Sequence, residues 1–200
     1  MGDHLTVGGA ILAGGKSNRM GRDKATMDAG GATMVERSVE ALRSIASPIV
    51  VVSETGDRYR LPGCQEIADR TPGLGPVGGI VTALHHLGPG LHLVVACDMP
   101  FLNTELLSLL VRLADDGDEV VAPLIRGRPE PLCAAYRYTA LPVLEQFLQT
   151  GQRAAHRALE SLDTRYVDET LLRQVDPELA SFINVNTESD ADRWLPNRKK

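Results

Sequence analysis

Short apolar runs and longer amphipathic stretches alternate along this chain. Val7 to Leu12 is a compact apolar run leading into Gly14 and Gly15, and it predicts a first strand. Val35, Val39, Leu42 and Ile45 then recur at helical spacing. Thr33, with Glu36 three positions on, has the form of a capping box for that helix. Ile49-Val50-Val51-Val52 is β-branched throughout, so Pro48 to Ser53 reads as a buried strand. Cys64 to Ala68 predicts a short strand. Pro76 opens a helix that runs through Ile80, Ala83 and Leu84 and stops at Gly88-Pro89-Gly90.

The second half keeps the rhythm. Leu91 to Cys97 is an apolar strand ending in Asp98-Met99-Pro100. Asn103 to Ala114 is a helix capped by Asn103 or Thr104 and stopped near Gly117. Glu119 to Ala122 and Leu132 to Tyr136 predict strands, and Ala140 to Gln149 predicts a helix ending at Gly151. A helix around Ala154 to Leu159 and a strand around Val167 follow. Phe182-Ile183-Asn184-Val185-Asn186 reads as a strand entering a last helix around Ser189 to Trp194. This β-α-β alternation predicts a single α/β domain over residues 1–196 with a largely parallel sheet, followed by a basic tail, 197–200. Ligands of such sheets sit at the carboxyl ends of strands. That rule selects the loop after Leu12, the loop after Val52, and Asp98.

Composition narrows the function classes. The 200 residues carry 21 Lys plus Arg against 26 Asp plus Glu, a formal net charge of −5. A general nucleic-acid binder carries a basic excess instead. An anionic small molecule remains compatible, because local cations can form a positive site in an acidic protein. The 3 cysteines, Cys64, Cys97 and Cys133, are isolated. They form no C-x-x-C pair and no disulfide framework, so a reducing cytoplasm is the expected home. No apolar run approaches the roughly 18 residues of a membrane span.

Glycine-rich segments carry the candidate chemistry. Ala10 to Ser17 resembles a phosphate loop, G-x-x-x-x-G-K-[ST], but Ala10 stands where the first glycine belongs. Gly73-Leu74-Gly75-Pro76-Val77-Gly78 matches G-x-G-x-x-G, and Asp98 lies 20 residues past Gly78. That matches a dinucleotide fingerprint, except that Asp69-Arg70-Thr71-Pro72 separates the glycines from the preceding strand. A third reading takes Leu12 to Lys24 as one unit. Its backbone N–H groups can hold phosphate oxygens. Arg19 and Lys24, with Lys16 and Arg22 nearby, supply positive charge suited to a triphosphate.

The segment L-A-G-G-x-S-x-R-M-G-x-D-K is similar to the signature of the molybdenum cofactor guanylyltransferases. Gly75-Pro76-Val77-Gly78-Gly79-Ile80, Cys97-Asp98-Met99-Pro100-Phe101-Leu102, Pro131-Leu132 with Tyr136, Gly151-Gln152-Arg153 and Phe182 to Thr187 resemble further family segments in the expected order. The resemblance covers nearly the whole chain. It implies a Rossmann-like nucleotidyltransferase fold and transfer of GMP from GTP to the terminal phosphate of molybdenum-molybdopterin, with release of pyrophosphate. By position, it implies that Leu12, Ala13, Gly14, Gly15, Lys24, Ser53, Asp69 and Asp98 contact the nucleotide. Asp98 would bind Mg2+, and Arg19, Lys24 and Asp98 would be catalytic. Gly78, Arg153, Asn184 and Asn186 would lie on the pterin or phosphate side. The implied partners are the two substrates, with transient contact to cofactor-supplying and cofactor-accepting proteins, and neither nucleic acid nor membrane.

Some residues depart from the family pattern. Ser53 replaces a residue that is often Asn, and Met99 replaces Thr. Ala154-Ala155 follows Arg153 where relatives place further basic residues. Leu-Ala-Gly-Gly leans toward the guanylyl type, since cytidylyl relatives tend to carry Leu-Ala-Ala-Gly. A cytidylyltransferase, another nucleotidyltransferase of the fold, or a non-catalytic nucleotide-binding module therefore stay as alternatives. Structural readings also stand beside the functional ones. Asp98 and Asp69 can shape turns, and Asn184 and Asn186 can pair with backbone at a strand end. Arg126 and Arg128 form a basic loop open to either reading. His85 and His86 read as structural groups near helix C-terminal carbonyls. Cys97 and Cys133 read as core residues in apolar strands.

Overall fold

The computed structural model describes residues 7–14 and 23–195. Eight strands form one sheet: β1 (Val7–Leu12), β2 (Ile49–Ser53), β3 (Gln65–Ala68), β4 (Leu91–Ala96), β5 (Val120–Ile125), β6 (Arg128–Pro129), β7 (Cys133–Arg137) and β8 (Thr164–Asp168). The order is β3-β2-β1-β4-β7-β5-β6, with β8 against β5. Strands β3, β2, β1 and β4 run parallel. β7 lies antiparallel between β4 and β5, and β8 pairs parallel with β5. The domain is an α/β fold with a mixed, mostly parallel central sheet flanked by helices.

Alternation along the central strands divides the core into two layers. Ile11, Val51, Leu93 and Val95 pack with α1 (Met34–Arg43) and α3 (Thr104–Arg112), on the face opposite α2 (Gly75–Leu87). Ala10, Leu12, Val50, Val52 and Val94 face α2 and α4 (Leu141–Gln149). Burial on both faces explains why β2 and β4 are almost wholly apolar, with Ser53 and His92 as their polar residues. Three short helices complete the chain: α5 (Ala155–Ala158), α6 (Glu169–Leu172) and α7 (Glu188–Trp194).

The local signals read from sequence are visible in the caps. Thr33 Oγ1 accepts from Glu36 N, and Glu36 returns a carboxylate to Thr33 N at 2.7 Å. Asn103, rather than Thr104, caps α3, accepting from Glu105 N at 2.8 Å. Pro76 sits in the first turn of α2, and Gly88 ends it with a φ of 74°.

The expected strand over Phe182 to Asn186 is absent. Ala180–Phe182 forms a 3-10 turn, and residues 183–186 are irregular. Asp176 causes the turn, because its carboxylate collects Ala180 N at 3.1 Å and Ser181 N at 3.0 Å. A lone backbone bond from Val185 N to Asp98 O, 2.9 Å, then docks this segment at the end of β4. The helix histidines are structural but do not meet carbonyls of their own helix. His85 Nε2 lies 2.6 Å from Glu145 Oε1 on α4, and His86 Nε2 lies 3.0 Å from Gln65 Oε1 on β3.

Candidate active site

A cavity of about 600 Å³ opens at the carboxyl ends of β1 to β4. Its wall includes Ala13, Gly14, Lys24, Glu54, Asp69 and Asp98. All three strand ends selected from the sequence meet there. A larger cleft of about 970 Å³ runs between α1 and the Leu61-Pro62 and Pro100–Thr104 segments. It carries none of the glycine-loop residues, so size does not mark the chemistry here.

Lys24 is placed from both sides. Asp23 caps the 3-10 turn Lys24–Thr26 by accepting from Ala25 N at 3.1 Å. The Lys24 ammonium then donates to Asn186 Oδ1 at 2.9 Å. Asn186 N is held in turn by Asp190 Oδ2 at 3.0 Å, within the capping box of α7. The irregular 183–186 segment thus carries a functional candidate to the cavity from the far end of the chain.

Asp98 follows β4 and is half-buried. Burial pushes its carboxyl above the ordinary aspartate range, and the charge of Lys24 opposes that rise. Among the described residues no other side chain hydrogen-bonds this carboxylate. A half-buried carboxylate beside a lysine fits a cation carried in with phosphates. Among the described residues no group of three His, Cys, Asp or Glu could hold a metal alone. Magnesium suits this setting, because it binds through one or two carboxylates plus phosphate oxygens and water.

Asp69 lies at the opposite end of the wall, beyond β3. Its Oδ1 accepts from Thr71 N at 2.9 Å and from Thr82 Oγ1 at 2.9 Å, which fixes the carboxylate and leaves Oδ2 outside those bonds. Ser53 and Ala68 pair across β2 and β3, so Glu54 and Asp69 are the next residues on adjacent strands. Glu54 was not singled out from sequence. Its position directly after a buried strand was the available signal.

The N-terminus of α2 also faces the cavity. Gly73 and Gly75 have φ of 83° and 73°, and both lie on the wall. Leu74, the N-cap, makes no side-chain cap bond, which leaves first-turn N–H groups for an anion. Arg153 Nη1 donates to Gly73 O at 3.0 Å and so braces the rim. The glycines therefore build a cavity edge after a turn.

Other expected site residues are placed differently. Ser53 is fully buried behind the wall. Its Oγ donates to Glu66 Oε1 at 2.6 Å and accepts from Gly56 N at 2.9 Å, so its hydroxyl is committed to the fold. Gly78 is buried too. A Cβ there would lie 2.6 Å from Thr71 Oγ1, so close helix–loop packing requires the glycine, while Gly75 and Gly79 line the cavity. Asn184 is half-buried beside Val185, which docks on Asp98 O. Gly15 and Arg19 lie outside the described residues. Cys97 lies just past β4 on the cavity wall rather than within the strand, and burial pushes its thiol up to about 12. It is no nucleophile near neutral pH. Cys133 is fully buried in β7. Glu130, also missed, is close enough for the Asp98 charge to reinforce the burial that raises its carboxyl.

A mostly parallel sheet, a glycine-lined cavity at its carboxyl edge, and a lysine whose charge reaches the Asp98 carboxylate make a setting for a nucleotide's phosphates. The sequence profile described as "MobA-like NTP transferase domain" matches residues 9–166. The molybdenum cofactor guanylyltransferase of Desulfosudis oleivorans is 33% identical over 188 residues, covering 94% of this chain and 93% of the relative. A probable molybdenum cofactor guanylyltransferase of Carboxydothermus hydrogenoformans is 34% identical, covering 96% and 95%. The crystal structure of molybdopterin-guanine dinucleotide biosynthesis protein A from Archaeoglobus fulgidus superposes with a TM-score of 0.80 at 32% identity, covering 94% of this chain and 96% of that one. The chain belongs to the molybdenum cofactor guanylyltransferase family, within the MobA-like NTP transferases, and is an enzyme of the nucleotidyltransferase class. At 13% identity and a TM-score of 0.70, 4-diphosphocytidyl-2C-methyl-D-erythritol synthase from Anaerococcus prevotii shares the fold. Among the described residues no helix is long and apolar enough to cross a membrane.

Proposed function

We propose that this enzyme transfers GMP from GTP to the terminal phosphate of molybdenum-molybdopterin in the cytoplasm, giving the guanine dinucleotide cofactor and pyrophosphate. The observation that carries the reading is the Lys24–Asn186 bond near the half-buried Asp98 carboxylate, at one end of the cavity. The names of the relatives supply the substrates. The cavity's polarity supports them.

Charge orients the nucleotide. Lys24, the loop N–H groups and the α2 N-terminus attract the triphosphate toward β1 and β4. Glu54 and Asp69 repel it from the β2–β3 end and accept hydrogen bonds there instead. Guanine offers adjacent N1–H and N2–H2 donors, whereas the cytosine edge offers the N4 amino group alone. Two acceptor carboxylates at that end favour GTP.

In the reaction, an oxygen of the acceptor's terminal phosphate attacks the α-phosphorus. A new P–O–P linkage forms as the bond from the α-phosphorus to the bridging oxygen breaks, and that electron pair leaves on pyrophosphate. Catalysis of such transfers comes mainly from positioning and charge stabilisation. Lys24 offsets charge on the phosphates, and Asn186 fixes its ammonium. Arg19 would add a second cation from the glycine-rich loop, with Gly15 giving backbone access. Magnesium, held by Asp98, supplies further charge neutralisation when bound. Arg153 and Asn184 border the acceptor side. Contacts with proteins that supply and receive the cofactor are transient.

Calorimetry with magnesium and GTP, CTP, ATP or NAD, on wild type and Asp98→Ala, tests the assignment. Tight GTP binding that weakens in the variant is expected. A preference for CTP would keep the chemistry and change the product. A preference for NAD would move the nucleotide site to the Gly73–Gly78 turn and overturn the reading.

A further inference from the structure

Past Glu54, the loop between β2 and β3 takes no part in the chemistry above, yet it is tied to both ends of the glycine-rich segment. Glu66 on β3 gives the loop its shape. Its carboxylate accepts from Arg58 N at 2.8 Å and Tyr59 N at 2.7 Å, besides Ser53 Oγ. Gly56, with φ of 82°, turns the chain where a Cβ would lie 2.7 Å from Ala68 N. The loop is therefore fixed by its own strand pair before it reaches β1.

From that base, two neighbouring side chains reach out. Tyr59 Oη donates to Ala13 O at 3.1 Å, where the glycine-rich segment begins. Arg58 Nε lies 2.9 Å from Asp23 Oδ2, where the segment ends. That oxygen is buried, and the contact is an ion pair rather than an aligned hydrogen bond. Asp23 Oδ1 meanwhile caps the turn that carries Lys24. One carboxylate thus joins Arg58 to the backbone of the lysine turn. Burial first, and the Asp23 charge next, push the Tyr59 phenol above its ordinary range, so it stays a protonated donor. Neither Arg58 nor Tyr59 lies on the cavity wall.

We infer that Arg58 and Tyr59 form a strap that positions the two ends of the glycine-rich segment, at Ala13 and Asp23, and through Asp23 the Lys24 ammonium, for a nucleotide triphosphate. The inference rests on the nucleotide site proposed above. Both are positioning residues, since they act through Asp23 and Ala13.

The test is a double-mutant cycle on the full chain, read as the Kd of the magnesium complex of GTP and of CTP. Arg58→Ala weakens the tighter of the two about tenfold in the wild-type background. In a Lys24→Ala background the same change costs less than about twofold, because the group it positions is gone. Tyr59→Phe, which keeps the ring, weakens binding in the same direction, and tryptic cleavage after Lys16, Arg19 and Arg22 is faster in both strap variants. Equal losses in the two backgrounds, or none in either, overturn the strap. Tight CTP binding with the cycle intact would refute the base assignment and leave the strap standing. If wild type binds neither nucleotide, the site assignment fails, and unchanged cleavage rates would refute the strap by themselves.

Discussion

Lys24 Nζ donates to Asn186 Oδ1 at 2.9 Å across 162 positions of sequence. This bond ties the Lys24 end of the cavity, where we propose the phosphates sit, to the C-terminal segment. Lys24→Ala removes a charge aimed at the phosphates, and a loss of about 100-fold to 1,000-fold in kcat/KM is expected. Asn186→Ala keeps the ammonium and releases its direction, so a loss of about tenfold is expected. Steady-state kinetics on both variants check the order. A larger loss for Asn186→Ala would give the asparagine its own contact with substrate.

Asp98 trades stability for function. Its raised carboxyl pKa means that the fold disfavours the charged form. Asp98→Asn should therefore leave the melting temperature unchanged or raised, while activity falls by about 100-fold or more. Thermal denaturation and magnesium titration of the rate, run in parallel, test both halves.

Gly8 has no room for a side chain. A Cβ there would lie 2.6 Å from His92 Nδ1 in the neighbouring strand. Gly8→Ala is expected to destabilise the domain by about 1–3 kcal/mol. Denaturant unfolding measures it, and a Gly8→Ala/His92→Ala double variant should recover part of the loss.

His92 makes stability fall on the acid side. It is buried at 3% exposure, with Nε2 donating to Gly88 O at 2.8 Å and Nδ1 unpartnered. Burial lowers its pKa below the ordinary 6.5, against the Gly88 bond. Above that value the folded and unfolded chains are both neutral here. As pH falls through it, the unfolded chain takes the proton first, so stability drops. His92→Leu should flatten this slope between about pH 7.5 and about pH 5.5. Melting temperatures of both proteins across that window check the sign.

Much of the fold was legible because its signals are local. The Thr33–Glu36 box, Asn103, Pro76 and Gly88 each acted where the pattern placed them. β7 was visible as a strand, but its antiparallel direction depends on pairing between β4 and β5. Residues 182–186 misled because their apolar alternation has no ladder to join, and Asp176 turns the chain just before them. In the site, the strand-end rule located Asp98 and the loop after Leu12 that leads to Lys24, whereas Asp69 came from the family resemblance. The burial of Ser53 followed from Glu66, which lies 13 positions away and across a strand pair. Arg58 and Tyr59 carried no motif at all. Their place near Ala13 and Asp23 exists only in three dimensions.

The most direct measurement incubates the enzyme with magnesium, GTP and molybdenum-molybdopterin and follows pyrophosphate release together with the mass of the pterin product. The account predicts stoichiometric pyrophosphate and a product heavier by one GMP unit, both formed about 100-fold or more slowly in Lys24→Ala and Asp98→Asn. A CMP adduct formed in preference from CTP, or full turnover by Asp98→Asn, would contradict it.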